Sequence, residues 1–161
     1  MSKQKIQKTN AVRLLDQQKT HYELIEYTIE DHQLDGVSVA EKVGHPVSHV
    51  FKILVTTAGK GKVYVFVIPV AEELNLKACA KLAGEKKIEM LPVKELLATT
   101  GYIRGGCSPV GMKKHYPTFI DESAKNLAYI LLSAGKIGMQ MKLKPQELIQ
   151  ATRGTFGRLT N

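Results

Sequence analysis

The sequence contains no tryptophan and only two cysteines, and aromatic residues make up 6% of its 161 positions. This low aromatic content disfavours a surface that stacks single-stranded bases. Any nucleic acid would therefore be contacted mainly through its backbone. Cys79 and Cys107 form no CxxC pair, which argues against a zinc or redox site and fits a reducing compartment. The histidine spacing does not match a metal site, so we predict neither a metal nor a cofactor.

Long apolar runs are also absent. No stretch approaches the ~18 apolar residues that span a membrane. The N-terminal segment "MSKQKIQKTN" is polar and rich in lysine, and no apolar segment follows it, which predicts neither a secretory signal nor an anchor. We therefore expect a cytoplasmic protein that does not bind a membrane, and the length fits a single domain over residues 1–161.

Positive charge is in excess. The chain has 23 Lys and Arg residues against 15 Asp and Glu residues, which gives a formal net charge of +8. Such a balance favours polyanionic partners, because each neutralised phosphate releases a counterion. Solvated surface lysines would give the same balance, and charge alone leaves both interpretations open.

Hydrophobic patterns and capping residues predict alternating helices and strands. A capping box formed by Ser38 and Glu41 predicts the start of a short helix. The runs "VFKILVTT" and "KVYVFVIPV" predict a hairpin that turns through "AGKGK". Other helices are predicted in "KTNAVRLLDQQ", "NLKACAKLAG", "PVKELLATTG" and "KPQELIQATRG". Other strands are predicted in "YELIEYTIE", "KKIEML", "TFIDE", "LAYILLSAG" and "IGMQMKLKP". No strict βαβ rhythm is present, which predicts an α+β fold with a mixed or largely antiparallel sheet.

Lys52 is an unusual cation, because its neighbours in "HVFKILVTT" are apolar. Strand alternation places Phe51 and Ile53 on one face and Lys52 with Leu54 on the other. Lys52 is therefore either a snorkelling lysine on an edge strand or a cation directed into a pocket, toward a phosphate or hydroxyl group. The local sequence does not decide between these alternatives.

The segment "GYIRGGCSPVGMKKHYP", residues 101–117, lacks the spacing of a dinucleotide-binding or P-loop motif. The adjacent Gly105 and Gly106 could bring backbone N–H groups against an ester carbonyl, although a tight surface turn explains the same pattern. No base can be placed beside Cys107, and Ser108 precedes a proline as turn residues often do. Both are therefore interpreted as residues without a nucleophilic role.

Four pieces in order, "TNAVRLLDQQ", "HVFKILVT", "TGYIRGGCSPVGMKKHYPTFID" and "LLSAGKIG", resemble the YbaK/EbsC family. These are bacterial Cys-tRNA(Pro) deacylases related to the editing domain of prolyl-tRNA synthetases. The resemblance extends over essentially the whole chain. It implies a mixed sheet, partly rolled into a barrel and flanked by helices. It also implies hydrolysis of the ester that joins a wrongly attached amino acid to the 3′-terminal ribose of tRNA.

The resemblance also assigns roles to particular residues. Lys52 and the backbone of Gly105 and Gly106 are the expected catalytic groups. The residues that it places at the substrate are Tyr27, Ser133 and Gln140, and we also expect Ser108 there. Separately from the resemblance, we expect Lys113 and Lys114 to contact tRNA phosphates at the rim of the loop. Gln140 departs from the family pattern, because family members carry an acidic residue at its place.

The implied chemistry needs no protein nucleophile. Aminoacyl esters are already activated, so positioning and carbonyl polarisation can suffice, and the thiol of a cysteinyl substrate can attack its own carbonyl. The expected partners are the acceptor end of mischarged tRNA(Pro) and prolyl-tRNA synthetase. Two alternatives remain open: a deacylase for another small amino acid such as alanine, and a non-catalytic protein that binds tRNA or a synthetase.

Overall fold

A computed structural model describes residues 8–161 of the chain. The helices are α1 (Asn10–Gln17), α2 (Gly36–Val43), α3 (Leu76–Ala83), α4 (Val93–Thr100) and α5 (Pro145–Thr152). The strands are β1 (Glu23–Glu26), β2 (Phe51–Gly59), β3 (Lys62–Pro69), β4 (Glu89–Met90), β5 (Thr118–Asp121), β6 (Ile130–Lys136), β7 (Met139–Leu143) and β8 (Thr155–Gly157). The predicted α+β class is confirmed.

The strands form two sheets. The larger has the order β4-β2-β3-β5-β8, and the smaller has the order β1-β7-β6. The pairs β3–β5 and β5–β8 are parallel and the others are antiparallel, so the larger sheet is mixed as predicted. The sheets are linked by an isolated parallel bridge between Val50 and Leu131 and do not close into a barrel.

The smaller sheet has two chemically different faces, because successive side chains on a strand point to opposite sides. Ile130, Leu132 and Met141 are fully buried in the main core, which also includes residues of α1. The opposite face carries Ser133 and Gln140, which are paired across β6 and β7. This second face supplies polar groups to the site described below.

The predicted capping box at the start of α2 is wrong. The helix begins at Gly36, and the N-cap is Asp35, whose side chain accepts a hydrogen bond from the Ser38 amide at 3.1 Å. The Asp35 carboxylate also accepts the Ser38 hydroxyl at 2.6 Å, so Ser38 is a donor to the cap and not the cap itself. An acidic N-cap also complements the positive end of the helix dipole.

Some strand predictions were too long, and one strand was not predicted. The run "YELIEYTIE" gives only β1, and "KKIEML" gives only the two residues of β4. β8 was not predicted, because its three residues include a glycine and have no clear alternation. Its parallel pairing with β5 depends on contacts that are distant in sequence. A search of residues 8–161 finds no helical segment with the length and hydropathy of a membrane span.

Candidate active site

The open edge of β2 creates a cavity between the two sheets. β4 pairs only with the far end of β2, at Thr56 and Thr57. The Leu91 amide donates to the Val55 carbonyl at 3.0 Å, so the backbone polar groups of Val55 point away from β3. The backbone N–H and C=O groups of Ile53, two residues earlier on the strand, also point away from β3, and Ile53 lines the cavity. The cavity between this edge, the smaller sheet and the glycine-rich loop has a volume of about 390 Å³.

Five of the residues predicted at the site line this one cavity. They come from distant parts of the chain: Tyr27, Lys52, Gly105, Ser133 and Gln140. Apolar residues of β2 and α2 also line it. A cavity of this size lies at the small end of the range for ligand sites, which suits a small acyl group. Within residues 8–161, no group of three His, Cys, Asp or Glu side chains could hold a metal.

The alternation predicted around Lys52 is confirmed. Phe51 is buried in the main core with Ile53 against it, whereas Leu54 packs in a second cluster on the other face of the sheet. Lys52 is partly buried, lines the cavity and forms no ion pair with the described residues. No acidic side chain among the described residues therefore neutralises its cation.

The glycine pair forms a tight turn. The Gly106 amide donates to the Ile103 carbonyl at 3.0 Å, and Gly105 has a φ of 84°. A positive φ at the third position of such a turn is typical of type II and favours glycine. Because the Gly106 amide closes the turn, it is not free to be one of the two backbone donors that were predicted, and Gly105 is the member of the pair that lines the cavity.

Gly106 itself packs against the connection between β6 and β7 and does not line the cavity. A Cβ atom at this position would lie 2.9 Å from the Ile137 nitrogen and 3.0 Å from the Lys136 Cα. Both neighbours are backbone atoms, so they could not move aside without shifting the connection. The absence of a side chain at Gly106 therefore allows the turn to pack closely against the connection between β6 and β7.

Three other predicted residues lie outside the cavity. Ser108 is fully buried, and its hydroxyl oxygen accepts the Val110 amide at 3.2 Å, so it stabilises a local turn. Lys113 and Lys114 are exposed, and the side chain of Lys113 lies beside Gly101. Their predicted contacts with substrate or tRNA remain predictions.

Cys107 lines the cavity but is poorly suited to act as a nucleophile. Burial raises the pKa of its thiol to about 12, so the thiol stays protonated near neutral pH. The thiolate is the reactive form of cysteine, and nucleophilic cysteines have lowered pKa values. The structure thus supports the interpretation that this thiol has no nucleophilic role.

Ser133 and Gln140 form the polar floor of the cavity. The Ser133 hydroxyl oxygen accepts the Gly135 amide at 3.2 Å. Gln140 is 6% exposed, and its Oε1 atom is buried without a hydrogen-bond partner among the described residues. Leaving a buried acceptor unpaired costs about 1–3 kcal/mol, so this atom needs an explanation such as a bound partner.

Sequence reasoning missed Lys42, which organises the loop after β1. Its Nζ donates to the Thr28 carbonyl at 2.9 Å, the Asp31 carboxylate at 2.6 Å and the Gln33 carbonyl at 2.7 Å, and it lies 5.9 Å from the centre of the Tyr27 ring. Nothing in its helical context distinguishes it from a solvated lysine. This one ammonium group joins the loop that bears Tyr27 to α2.

Arg104 was also missed, although it lines the cavity next to Gly105. The only signal in the sequence is its place between Ile103 and the glycine pair. Among the described residues that line the cavity, the acidic and basic ones are Lys52, Arg104 and the capping residue Asp35. A hydrogen bond from Ser38 lowers the pKa of Asp35, so its carboxylate is ionised.

Comparison with known proteins confirms the resemblance read from the sequence. A family model described as an aminoacyl-tRNA editing domain matches residues 33–151. The chain is 48% identical to a protein of Enterococcus faecalis that is provisionally named as the Cys-tRNA(Pro)/Cys-tRNA(Cys) deacylase EbsC. The alignment of 161 residues covers 99% of this chain and 98% of that protein.

Two crystal structures share the fold. One is of a protein described provisionally as a trans-editing enzyme for prolyl-tRNA synthetase, with a TM-score of 0.83 and 22% identity over 97% of this chain and 99% of that chain. The other is of the hypothetical protein APE2540, with a TM-score of 0.86 and 22% identity over 95% and 100%. Together with the match of the family model, the 48% identity shows that this chain belongs to the aminoacyl-tRNA editing domain family.

Proposed function

We propose that this protein removes cysteine from mischarged tRNA(Pro) by cleaving the ester to the 3′-terminal ribose. The observation that carries the proposal is the placement of Lys52 and Gly105 on one small cavity. The name of the Enterococcus faecalis relative supports cysteine as the amino acid.

The cavity can stabilise negative charge on the substrate carbonyl. In this proposal Lys52 supplies a cation and Gly105 a backbone N–H donor, which is supported by the place of both residues in the cavity wall. Donors held in place before the reaction act strongly on the oxyanion of a tetrahedral intermediate, and one such donor contributes roughly 10²–10³-fold in rate.

The substrate can supply its own nucleophile. The sulfur of the cysteinyl group attacks its carbonyl carbon, and an S–C bond forms in a four-membered ring. The bond from that carbon to the ribose oxygen breaks, and the proton of the thiol passes to the leaving oxygen. Water then opens the resulting thiolactone to free cysteine. The route needs neither a protein thiol nor a carboxylate base, which agrees with the protonated Cys107 and with an amide at Gln140.

The cavity also suits a second selection step after charging. Cysteine and proline are close in size, and a hydrophobic pocket discriminates poorly between small side chains, so a separate hydrolytic site is needed. A thiol requirement would provide chemical selectivity, since proline and alanine have no thiol with which to attack the ester.

The test is hydrolysis of a panel of purified aminoacyl-tRNAs: Cys-tRNA(Pro), Cys-tRNA(Cys), Ala-tRNA(Pro) and Pro-tRNA(Pro). We expect rapid loss of cysteine and slow loss of alanine and proline. Fast hydrolysis of the alanyl ester would replace the proposal with a deacylase for another small amino acid, because that substrate cannot attack itself. Adding prolyl-tRNA synthetase tests the expected partner: a preference for tRNA(Pro) over tRNA(Cys) that appears only with the synthetase supports a ternary complex.

The second candidate, a non-catalytic tRNA- or synthetase-binding protein, is favoured by Gln140, which cannot act as a base. A filter-binding assay with uncharged tRNA(Pro), combined with the hydrolysis panel, separates the two. Binding without turnover of any ester would favour the second candidate. Phosphate contacts such as those expected of Lys113 and Lys114 predict an affinity that falls steeply as salt rises.

A further inference from the structure

The backbone of Arg104 lies in a turn at the cavity, beside the proposed backbone donor. It occupies the second position of the turn from Ile103 to Gly106, and Gly105 follows it directly. The packing of Gly106 against the backbone of Ile137 fixes this turn on the smaller sheet. The residue is exposed while also lining the cavity, which places it at the entrance.

The surroundings leave the Arg104 cation free for a ligand. The carboxylate that lines the cavity, on Asp35, is engaged by the amide and hydroxyl of Ser38. No ion pair within residues 8–161 involves Arg104. Two cations and one engaged carboxylate bias the cavity toward an anionic ligand.

We propose that the Arg104 guanidinium binds the phosphate on the 5′ side of the terminal nucleotide, the last phosphate before the ester. This inference rests on the proposed function. The ester and this phosphate are attached to the same ribose, and the groups assigned to them are adjacent residues, Gly105 and Arg104. A guanidinium is planar and can donate two parallel hydrogen bonds to a phosphate, which a lysine cannot do.

This contact positions the ester by fixing the ribose from its other side. Arg104 lines the cavity and Lys113 and Lys114 do not, which favours Arg104 for this role. Arg104 is therefore a positioning residue for the reaction, and Lys52 remains the residue assigned to the carbonyl.

The test compares two small esters that differ by one phosphate: 3′-O-cysteinyl-adenosine and its 5′-monophosphate. We expect the wild type to favour the phosphorylated ester in kcat/KM by roughly 10- to 100-fold, the value of a hydrogen-bonded charge pair. Arg104→Gln should bring this preference close to one, Arg104→Lys should restore part of it, and the matched control Arg158→Gln, at an exposed position outside the cavity, should keep it. A preference that survives in Arg104→Gln, or equal kcat/KM for both esters in the wild type, would overturn the proposal.

Binding separates this proposal from the proposed function if neither ester is hydrolysed. Calorimetry with AMP and adenosine reports on the phosphate site without any chemistry. The proposal then requires tighter binding of AMP than of adenosine in the wild type and loss of the difference in Arg104→Gln. Equal affinities for the two ligands would overturn the phosphate site, whereas absent hydrolysis with a phosphate-dependent affinity would overturn only the deacylase.

Discussion

Replacing Gln140 by methionine should make the protein more stable and less active. The two side chains are similar in length and volume, so the change removes the buried amide with little disturbance of packing. The wild-type Oε1 atom is buried and has no partner among the described residues. Its removal should therefore relieve a penalty and create none.

The size of the effect follows from the cost of an unpaired buried acceptor, about 1–3 kcal/mol. For a domain of 161 residues, each kcal/mol shifts the melting temperature by roughly 2–4 °C. Gln140→Met should then melt about 2–12 °C above the wild type. The matched control Gln150→Met changes the same side chain at an exposed position of α5 and should leave the melting temperature nearly unchanged.

Thermal and urea unfolding measure the stability, and deacylation of Cys-tRNA(Pro) measures the activity. If Gln140 is kept because its amide contacts the substrate, the more stable variant will hydrolyse the ester more slowly. Such an exchange of stability for function is common at binding sites. A variant less stable than the wild type, or one that is stabilised with full activity, would refute this explanation of the unpaired oxygen.

Four further predictions concern residues in and around the cavity. Gly106→Ala places a Cβ 2.9 Å from a backbone nitrogen, so it should lower the free energy of unfolding in urea by about 1–3 kcal/mol and slow deacylation. An unchanged unfolding free energy and an unchanged rate would contradict the assigned packing. Lys42→Met removes the hydrogen bonds that hold the loop bearing Tyr27, so it should raise KM more than it lowers kcat. Lys42→Arg should partly restore KM. An unchanged KM in Lys42→Met would count against a role of Lys42 in holding this loop. The hydrogen bond from Lys42 lowers the pKa of Asp31. The stabilisation from their pairing is therefore present above the unfolded pKa of about 3.9 and is lost as pH falls through the lower folded pKa. Thermal melts at pH 7 should show this stabilisation as a higher melting temperature. Cys107→Ala should retain hydrolysis, and complete loss of turnover in a folded variant would show that the thiol participates.

Local patterns were enough to predict most of the fold. The helix α3, predicted in "NLKACAKLAG", and the β2–β3 hairpin are determined by neighbouring residues, so local sequence patterns were sufficient to predict them. The start of α2 was misplaced because Asp35 and Ser38 are both good capping residues three positions apart. β8 depends on pairing with a strand more than thirty residues away, which no local pattern encodes.

The site was predictable only where the resemblance pointed to it. Alternation placed Lys52 on a face apart from the main core, but the existence of a cavity depends on how far β4 extends along β2. Gly105 and Gly106 differ in role because one residue closes a turn with its amide, a difference that composition cannot show. The position of Arg104 became meaningful only when the turn was placed beside the cavity.

The most direct test of the central claim is single-turnover release of cysteine from Cys-tRNA(Pro) by the wild type, by Lys52→Met and by the charge-matched control Lys77→Met on α3. We predict rapid release by the wild type and by Lys77→Met, and a rate roughly 100- to 1,000-fold lower for Lys52→Met, as expected when one stabilising group at the carbonyl is removed. Equal release rates for Lys52→Met and the wild type, in variants that melt at the same temperature, would contradict the assignment of this cavity as the catalytic site.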